Sequence, residues 1–195
     1  MAENKTNAAS AAAANGDAIV RRVIDRKEGA IAARALGGID YNSLRIRSAA
    51  YSVVTDEFGE EKNSIVTLTV DKPVVRYVAD KTTNEFVKAE VQHFTISFIS
   101  LLQILRDNKS FMPFARQLQQ NPKLLEMLLP GCAIDVIGVP VAAGTDYTNP
   151  FTGKTIAIQN DSVYFEPLSI TESEFAAKKL DEVATASLMQ GLLGK

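Results

Sequence analysis

Residues 87–105 read VKAEVQHFTISFISLLQIL, and the hydrophobic period changes inside this stretch. Val87–Ile99 reads as a strand, with alternation clearest at its end. Phe94, Ile96 and Phe98 oppose His93, Thr95 and Ser97, as in a strand buried on one face. From Leu101 the spacing becomes helical: Leu101, Leu102, Ile104 and Leu105 are followed by Phe111, Phe114, Leu118, Leu124, Leu125, Leu128 and Leu129. Asn121-Pro122 reads as an N-cap with proline at the first helical position, so a new helix is expected to start there and to stop at Pro130-Gly131. A strand that runs into a helical segment in mid-chain predicts an α+β protein, mainly β.

Upstream, Leu44-Arg-Ile-Arg-Ser48 alternates apolar and basic residues, which sets Leu44 and Ile46 against Arg45 and Arg47 on a strand expected to reach Val54. A polar turn over residues 56–63 leads to β-branched alternation at Ile65–Val70. Pro73 then marks an edge, bend or bulge before Val74–Val78. Downstream, strands are expected at Ala133–Val141 and Ser162–Leu168, with a loop rich in Gly, Asn, Thr and Pro between them. Thr171-x-x-Glu174 reads as a capping box that opens a final helix, with Phe175, Leu180, Val183, Leu188 and Leu192 as its apolar points. At the other end, residues 1–17 hold nothing large to bury and are expected to be a disordered leader. Residues 18–38 suggest a short basic helical segment with Ile19, Val23, Ile31 and Leu36 as apolar points, ending at Gly37-Gly38. The domain proper then spans 39–170, and 171–195 form a C-terminal helix or tail.

Composition narrows the class. The chain has 195 residues, enough for one domain with its own core, and 46% of them are apolar against 23% charged. A single cysteine, Cys132, forbids an intrachain disulfide and suits a reducing, cytoplasmic compartment. No apolar run approaches the length of a membrane span, and the N-terminal residues lack the pattern of a secretory signal. The net charge of −2 argues against coating duplex DNA by charge alone, but Arg21–Arg47 carries seven basic residues against three acids.

Catalytic chemistry finds no footing. His93 is the only histidine and the one cysteine is distant, so there is no zinc constellation; no spacing supports a Ser-His-Asp assignment, and no pair of carboxylates has a spacing that predicts a shared site. Thr148–Thr155 ends like a phosphate-binding loop, but Thr148 stands where the first glycine belongs, a proline interrupts it, and a strand follows it instead of a helix. No catalytic residue, metal or cofactor is expected. Cations and rings interleave more suggestively. Arg45 and Arg47 share a strand face, Arg76 and Tyr77 adjoin, Phe86 and Lys88 share a face, and Tyr147, Phe151 and Lys154 occupy one loop expected to be flexible. Single-stranded nucleic acids are held by cationic grooves with rings on which bases stack. The competing reading packs Tyr77 and Phe86 into the core and leaves the cations as a solvated sheet surface.

The order of three strands, a helical segment and two strands resembles the OB-fold, a five-stranded, partly open Greek-key barrel. Gly131-Cys-Ala-Ile-Asp-Val-Ile-Gly138 resembles that fold's fourth strand in its opening glycine and alternating apolar residues. The resemblance covers about residues 40–170. It implies an OB-like barrel with a helical insertion between strands three and four, and binding of single-stranded DNA, as in single-stranded DNA-binding proteins of phage type that serve replication in the host cytoplasm. The nine cations and rings named above are then the expected contacts. Bacterial members of that family end in a strongly acidic, apolar-tipped tail; this chain ends in a mildly acidic helix. It also lacks tryptophan, the family's usual stacking residue. Leu188, Met189, Leu192 and Leu193 are expected to dock that helix on a protein partner or a second copy, away from the barrel. The rival expectation is a phage-type structural or assembly protein with no nucleic-acid role.

Overall fold

The computed structural model describes residues 25–55, 58–83 and 85–182. In chain order these form α1 (Arg26–Ala35), β1 (Ile39–Thr55), β2 (Glu61–Ala79), β3 (Phe86–Ser97), α2 (Phe98–Asp107), α3 (Ala115–Gln120), α4 (Leu124–Leu128), β4 (Ala133–Val141), β5 (Asp146–Thr148), β6 (Thr155–Ala157) and β7 (Ser162–Thr171). Residues 174–182 are again helical and are called α5. The architecture is α+β and mainly β: an open antiparallel sheet of five strands in the order β3-β2-β1-β4-β7, with a separate β5-β6 hairpin.

β1 serves the two halves of this sheet in succession. Ile39 to Arg45 pair with β4, and Ile46 to Thr55 pair with β2. The ladder with β4 breaks step between Tyr41 and Leu44. There Ser43 takes a left-handed φ of 52°, a strained conformation for a residue with a side chain, and its N–H donates to the Asp135 carboxylate at 2.7 Å. The same carboxylate accepts from the Ser169 hydroxyl at 2.6 Å, so one side chain on β4 holds both neighbouring strands. β2 is longer than its two sequence segments suggested. It runs unbroken past Pro73, and the proline lies in the irregular stretch between the Thr69–His93 and Val74–Val91 pairs.

The inner faces of the strands meet α2–α4 in one apolar core that contains Leu44, Ile46, Leu68, Phe94, Leu101, Leu105, Phe111 and Leu129. Phe94 on β3 lies against Phe165 on β7, with ring centroids 4.8 Å apart, so the two end strands approach each other at this level. Several local expectations shift. β3 ends at Ser97, and Phe98 and Ile99 belong to α2; Phe98 is still buried, with its edge against the Tyr51 ring. Asn121 is not a side-chain cap: α4 starts at Leu124 after a main-chain turn in which Leu124 N–H donates to the Asn121 carbonyl. Gly131, at φ 88°, makes the turn into β4 that the Pro130-Gly131 pair predicted.

α1 inverts its expected face. Ile31 and Leu36 point to solvent at 66% and 52% exposure, while Gly29, Ala30 and Ala33 are buried. Small residues permit close approach here: a Cβ on Gly29 would fall 2.6 Å from the Phe151 ring. Ile19, Val23 and the leader lie outside the described residues.

The C-terminal helix is likewise corrected where it is described. Thr171 closes β7, and the cap is Ser173, whose hydroxyl accepts from the Ala176 N–H at 3.0 Å. Phe175 is exposed, but Ala176 and Leu180 are buried in the main core. The first turns of this helix therefore belong to the fold and are not a separate docking arm. The expected docking residues Leu188, Met189, Leu192 and Leu193 lie outside the described residues. Ending the chain at Glu172 should consequently lower the melting temperature markedly, and Leu180→Ala alone should cost about 2–5 kcal/mol by chemical denaturation. Unchanged midpoints for both variants would restore the docking-arm reading.

Candidate nucleic-acid interface

Alternation along the strands separates an inner face from an outer one. The buried pairs Val66–Ile96 and Leu68–Phe94, and buried Val74 opposite half-buried Val91, mark the inner side. The residues between them form the outer side, in rows that cross three strands: Ser48–Thr69–His93, then Ala50–Thr67–Thr95. These are small or polar, and Thr67 and Thr95 bring their hydroxyls to 3.4 Å. The result is a low floor with no large apolar side chain in those rows.

Cations border the floor. Leu44 and Ile46 are buried and Arg45 and Arg47 are exposed, as the alternation predicted. Arg47 sits at the irregularity between Ile46 and Ser48. Neither guanidinium forms an ion pair among the described residues. The Arg45 N–H donates to Asp71 at 2.8 Å, while Lys72 stays exposed and its ammonium reaches the Ser43 carbonyl at 3.5 Å.

Past the irregularity β2 and β3 continue as a two-stranded arm. Tyr77 pairs with Lys88 and Ala79 with Phe86, so Tyr77, Lys88 and Phe86 share the outer side of the arm. Lys88 is exposed and Phe86 is 44% exposed. Arg76 pairs with Ala89 on the opposite side, and its guanidinium is drawn to the His93 carbonyl at 3.5 Å. Arg76 and Tyr77 adjoin in sequence but do not share a face, because consecutive residues of a strand point apart.

The long loop does not present its rings. Tyr147 is buried on β5 and stacks on Tyr164 at 4.9 Å; Phe151 is buried beneath α1, with the Arg26 guanidinium 5.6 Å from its ring centre. Asn149 holds the loop in place. Its side-chain oxygen accepts from the Phe151 and Thr152 N–H groups, and its amide donates to Glu166 at 2.6 Å. Lys154 alone of the three remains exposed. Tyr147 and Phe151 are therefore anchors of the fold and offer no surface on which a base could stack.

Sequence reading missed Phe58, 82% exposed in the connection between β1 and β2, because it stood among turn residues. It also missed Lys72 beside Pro73, and the small-residue floor, whose only signal was the repeated Ser and Thr at alternate strand positions.

A second polar cluster lies under α1. Arg26 donates to the Ser100 and Pro167 carbonyls and to Gln103, and stands 4.0 Å from Glu166. Glu166 is 4% exposed, and burial holds its carboxyl above the ordinary carboxylate range against the pull of Asn149, Ser100 and Arg26. Burial likewise raises the Tyr147 phenol, and its hydroxyl has no hydrogen-bond partner among the described residues. The groups clamp α1, α2, β7 and the β5-β6 hairpin together around Phe151.

Among the described residues no helix is long and apolar enough to cross a membrane, and no group of three or more His, Cys, Asp or Glu side chains could hold a metal ion. Comparison with protein-family models, curated proteins and solved structures finds no match to this chain.

Two outcomes follow for the clamp. Because the Glu166 pKa is raised on folding, its protonation stabilises the protein, and that contribution is lost as pH rises through the folded value. Glu166→Gln, neutral throughout, should match or exceed the wild-type melting temperature near neutral pH and converge with it under acid. A wild-type advantage that grows toward neutral pH would contradict the assignment. Tyr147→Phe removes a buried donor that has no partner, so it should be neutral or stabilising by about 1 kcal/mol in urea denaturation, whereas a loss of more than that would reveal a partner for the hydroxyl.

Proposed function

We propose that this chain binds single-stranded DNA, without catalysis, across the outer side of β1, β2 and β3. The observation that carries the reading is the low Ser/Thr/Ala floor over three strands, with His93 at one edge, bordered by the exposed Arg45, Arg47 and Lys72 and continued by the Tyr77–Lys88–Phe86 face of the arm. A floor of small side chains lets a phosphodiester backbone come close to the sheet, cations neutralise its charge, and the rings of the arm offer stacking surfaces that tolerate any base.

The fold supports the same reading. The strand order β3-β2-β1-β4-β7, the division of β1 between two partners, the approach of β3 to β7 through Phe94 and Phe165, and the helices between the third and fourth long strands suit an OB-like Greek-key barrel, partly open between its end strands. A single-stranded DNA-binding protein of phage type is the member this proposal favours. The rival reading, an assembly protein with no nucleic-acid role, draws on Ile31 and Leu36, which α1 leaves in solvent.

Fluorescence anisotropy with labelled single-stranded and duplex oligonucleotides across a salt series separates the two. Single-stranded DNA should bind at micromolar concentration or below, with a log–log salt slope of about −0.7 per phosphate neutralised. Arg45→Ala with Arg47→Ala should weaken binding and leave the melting temperature nearly unchanged. Phe94→Ala should instead destabilise the fold by about 3–5 kcal/mol, since that ring is fully buried. No signal at low ionic strength, or binding that salt does not change, would overturn the proposal in favour of the assembly reading.

A further inference from the structure

The two end strands of the sheet are treated differently. β7 has donors placed against its main chain: Arg26 donates to the Pro167 carbonyl, and the Asn108 amide donates to the Ile170 carbonyl at 2.9 Å. β3 pairs with β2 along one side, and among the described residues no side chain or strand hydrogen-bonds to residues 86–92 along the other. The arm carries Phe86 and Val87 at 44% and 41% exposure, so an unpaired strand edge and exposed apolar side chains coincide. Such an edge is a template for another strand.

The arm's own sequence selects the partner. Residues 86–92 read FVKAEVQ. When a strand pairs antiparallel with a second copy of itself across a two-fold axis perpendicular to the sheet, the axis must pass through a residue, because opposed side chains lie on the same face. An axis at Lys88 sets lysine against lysine, and one at Glu90 sets glutamate against glutamate. An axis at Ala89 sets Lys88 of each copy against Glu90 of the other on the outer side. On the inner side it sets Val87 against Val91, with Ala89 facing itself. Opposite charges directly across a sheet attract and like charges repel. Of the registers centred on this segment, the one at Ala89 neutralises both charges and also pairs the valines.

We propose that the β3 edge of the arm is a self-association surface, and that two copies join antiparallel about Ala89 into one continuous sheet. The contact is short, so the dimer belongs among weak interfaces, with a dissociation constant in the micromolar range. In the dimer the outer sides of the two β1-β2-β3 units adjoin, which would lengthen any surface they present. The proposal does not depend on what that surface binds.

The test is sedimentation velocity of the full chain without nucleic acid, over a low-to-high micromolar series. The wild type should shift from monomer to dimer. Lys88→Glu alone and Glu90→Lys alone each replace two attractive pairs per dimer with two repulsive ones, and each should weaken association about tenfold or more. The double exchange Lys88→Glu with Glu90→Lys restores opposite charges across the axis and should recover the dimer. Circular dichroism melts confirm that each variant is folded. As a second measurement, Ala89→Cys should form a disulfide-linked dimer under mild oxidation, because directly opposed antiparallel residues bring Cα atoms to about 4.5–5.5 Å, within disulfide reach, while Cys132 is buried. A wild type that stays monomeric throughout, a dimer indifferent to the single exchanges, or a double exchange that fails to restore it would overturn the proposal. So would a monomer whose β3 amides gain hydrogen-exchange protection only when single-stranded DNA is added, which would assign the edge to nucleic acid.

Discussion

The seventeen residues of β1 are shared end to end between two partners, β4 for the first part and β2 for the second, and the positions of the other elements follow from that division. Fully extended, such a strand would be about 55 Å long. A domain of about 150 residues has a radius of gyration of only about 15 Å. The strand must therefore bend and twist within the fold, and its register breaks in three places, beside Ser43, at Arg47 and between Val54 and Thr55. Asp135 offsets the strain at the first by accepting from Ser43, and through Ser169 it ties the bend to β7.

Once β1 is bent, the inner faces of both halves of the sheet look onto one volume, and the helices between β3 and β4 fill it. The main core covers one side of the strands, and a second cluster of Ala30, Ala33, Tyr147, Phe151 and Ile158 covers Ile137 and Val139 on the other side of β4. Among the described residues the outer side of β1, β2 and β3 carries exposed or half-buried side chains, so small polar residues and cations without an ion pair persist there at little cost in stability. Most rings, among them Phe94, Phe98, Phe111 and Phe165, lie in the interior.

The second cluster shows the opposite treatment of charge. Arg26 and Glu166 are largely removed from water, and desolvation pulls the arginine pKa down and pushes the glutamate pKa up, while their mutual attraction opposes both shifts. Buried ions of this kind persist only when hydrogen bonds replace water. Here the Ser100 and Pro167 carbonyls and Gln103 serve the arginine and Asn149 serves one Glu166 oxygen, while the other oxygen has no hydrogen-bond partner among the described residues. Because these partners come from α2, β7 and the loop before β6, the cluster orients α1 and fastens the hairpin that carries Tyr147 and Phe151.

Some of this was legible in the sequence, because it depends on local periodicity. Alternation in Leu44–Arg47 and in His93–Ser97 separated buried from exposed side chains, and the change of period after Ile99 located the helical insertion to within two residues. Pro73 signalled the irregularity in β2, and Gly37 and Gly131 the turns that flank β1 and β4. Long-range contacts decided the rest. Ile31 looked like a core residue, yet α1 turns its small residues inward, because only they allow the helix to approach Phe151. Tyr147 and Phe151 lay in a loop of turn-forming composition, and Asn149 gathers that loop onto Glu166, a partner 17 residues away that no pattern links to it. The faces of Arg76 and Tyr77 followed from strand geometry, but their partners, and the free edge of β3, depend on register, which arises only when strands meet. Side-chain period is a property of neighbours in sequence; burial, pairing and the charge state of Glu166 are set by neighbours in space, and the chain alone does not name them.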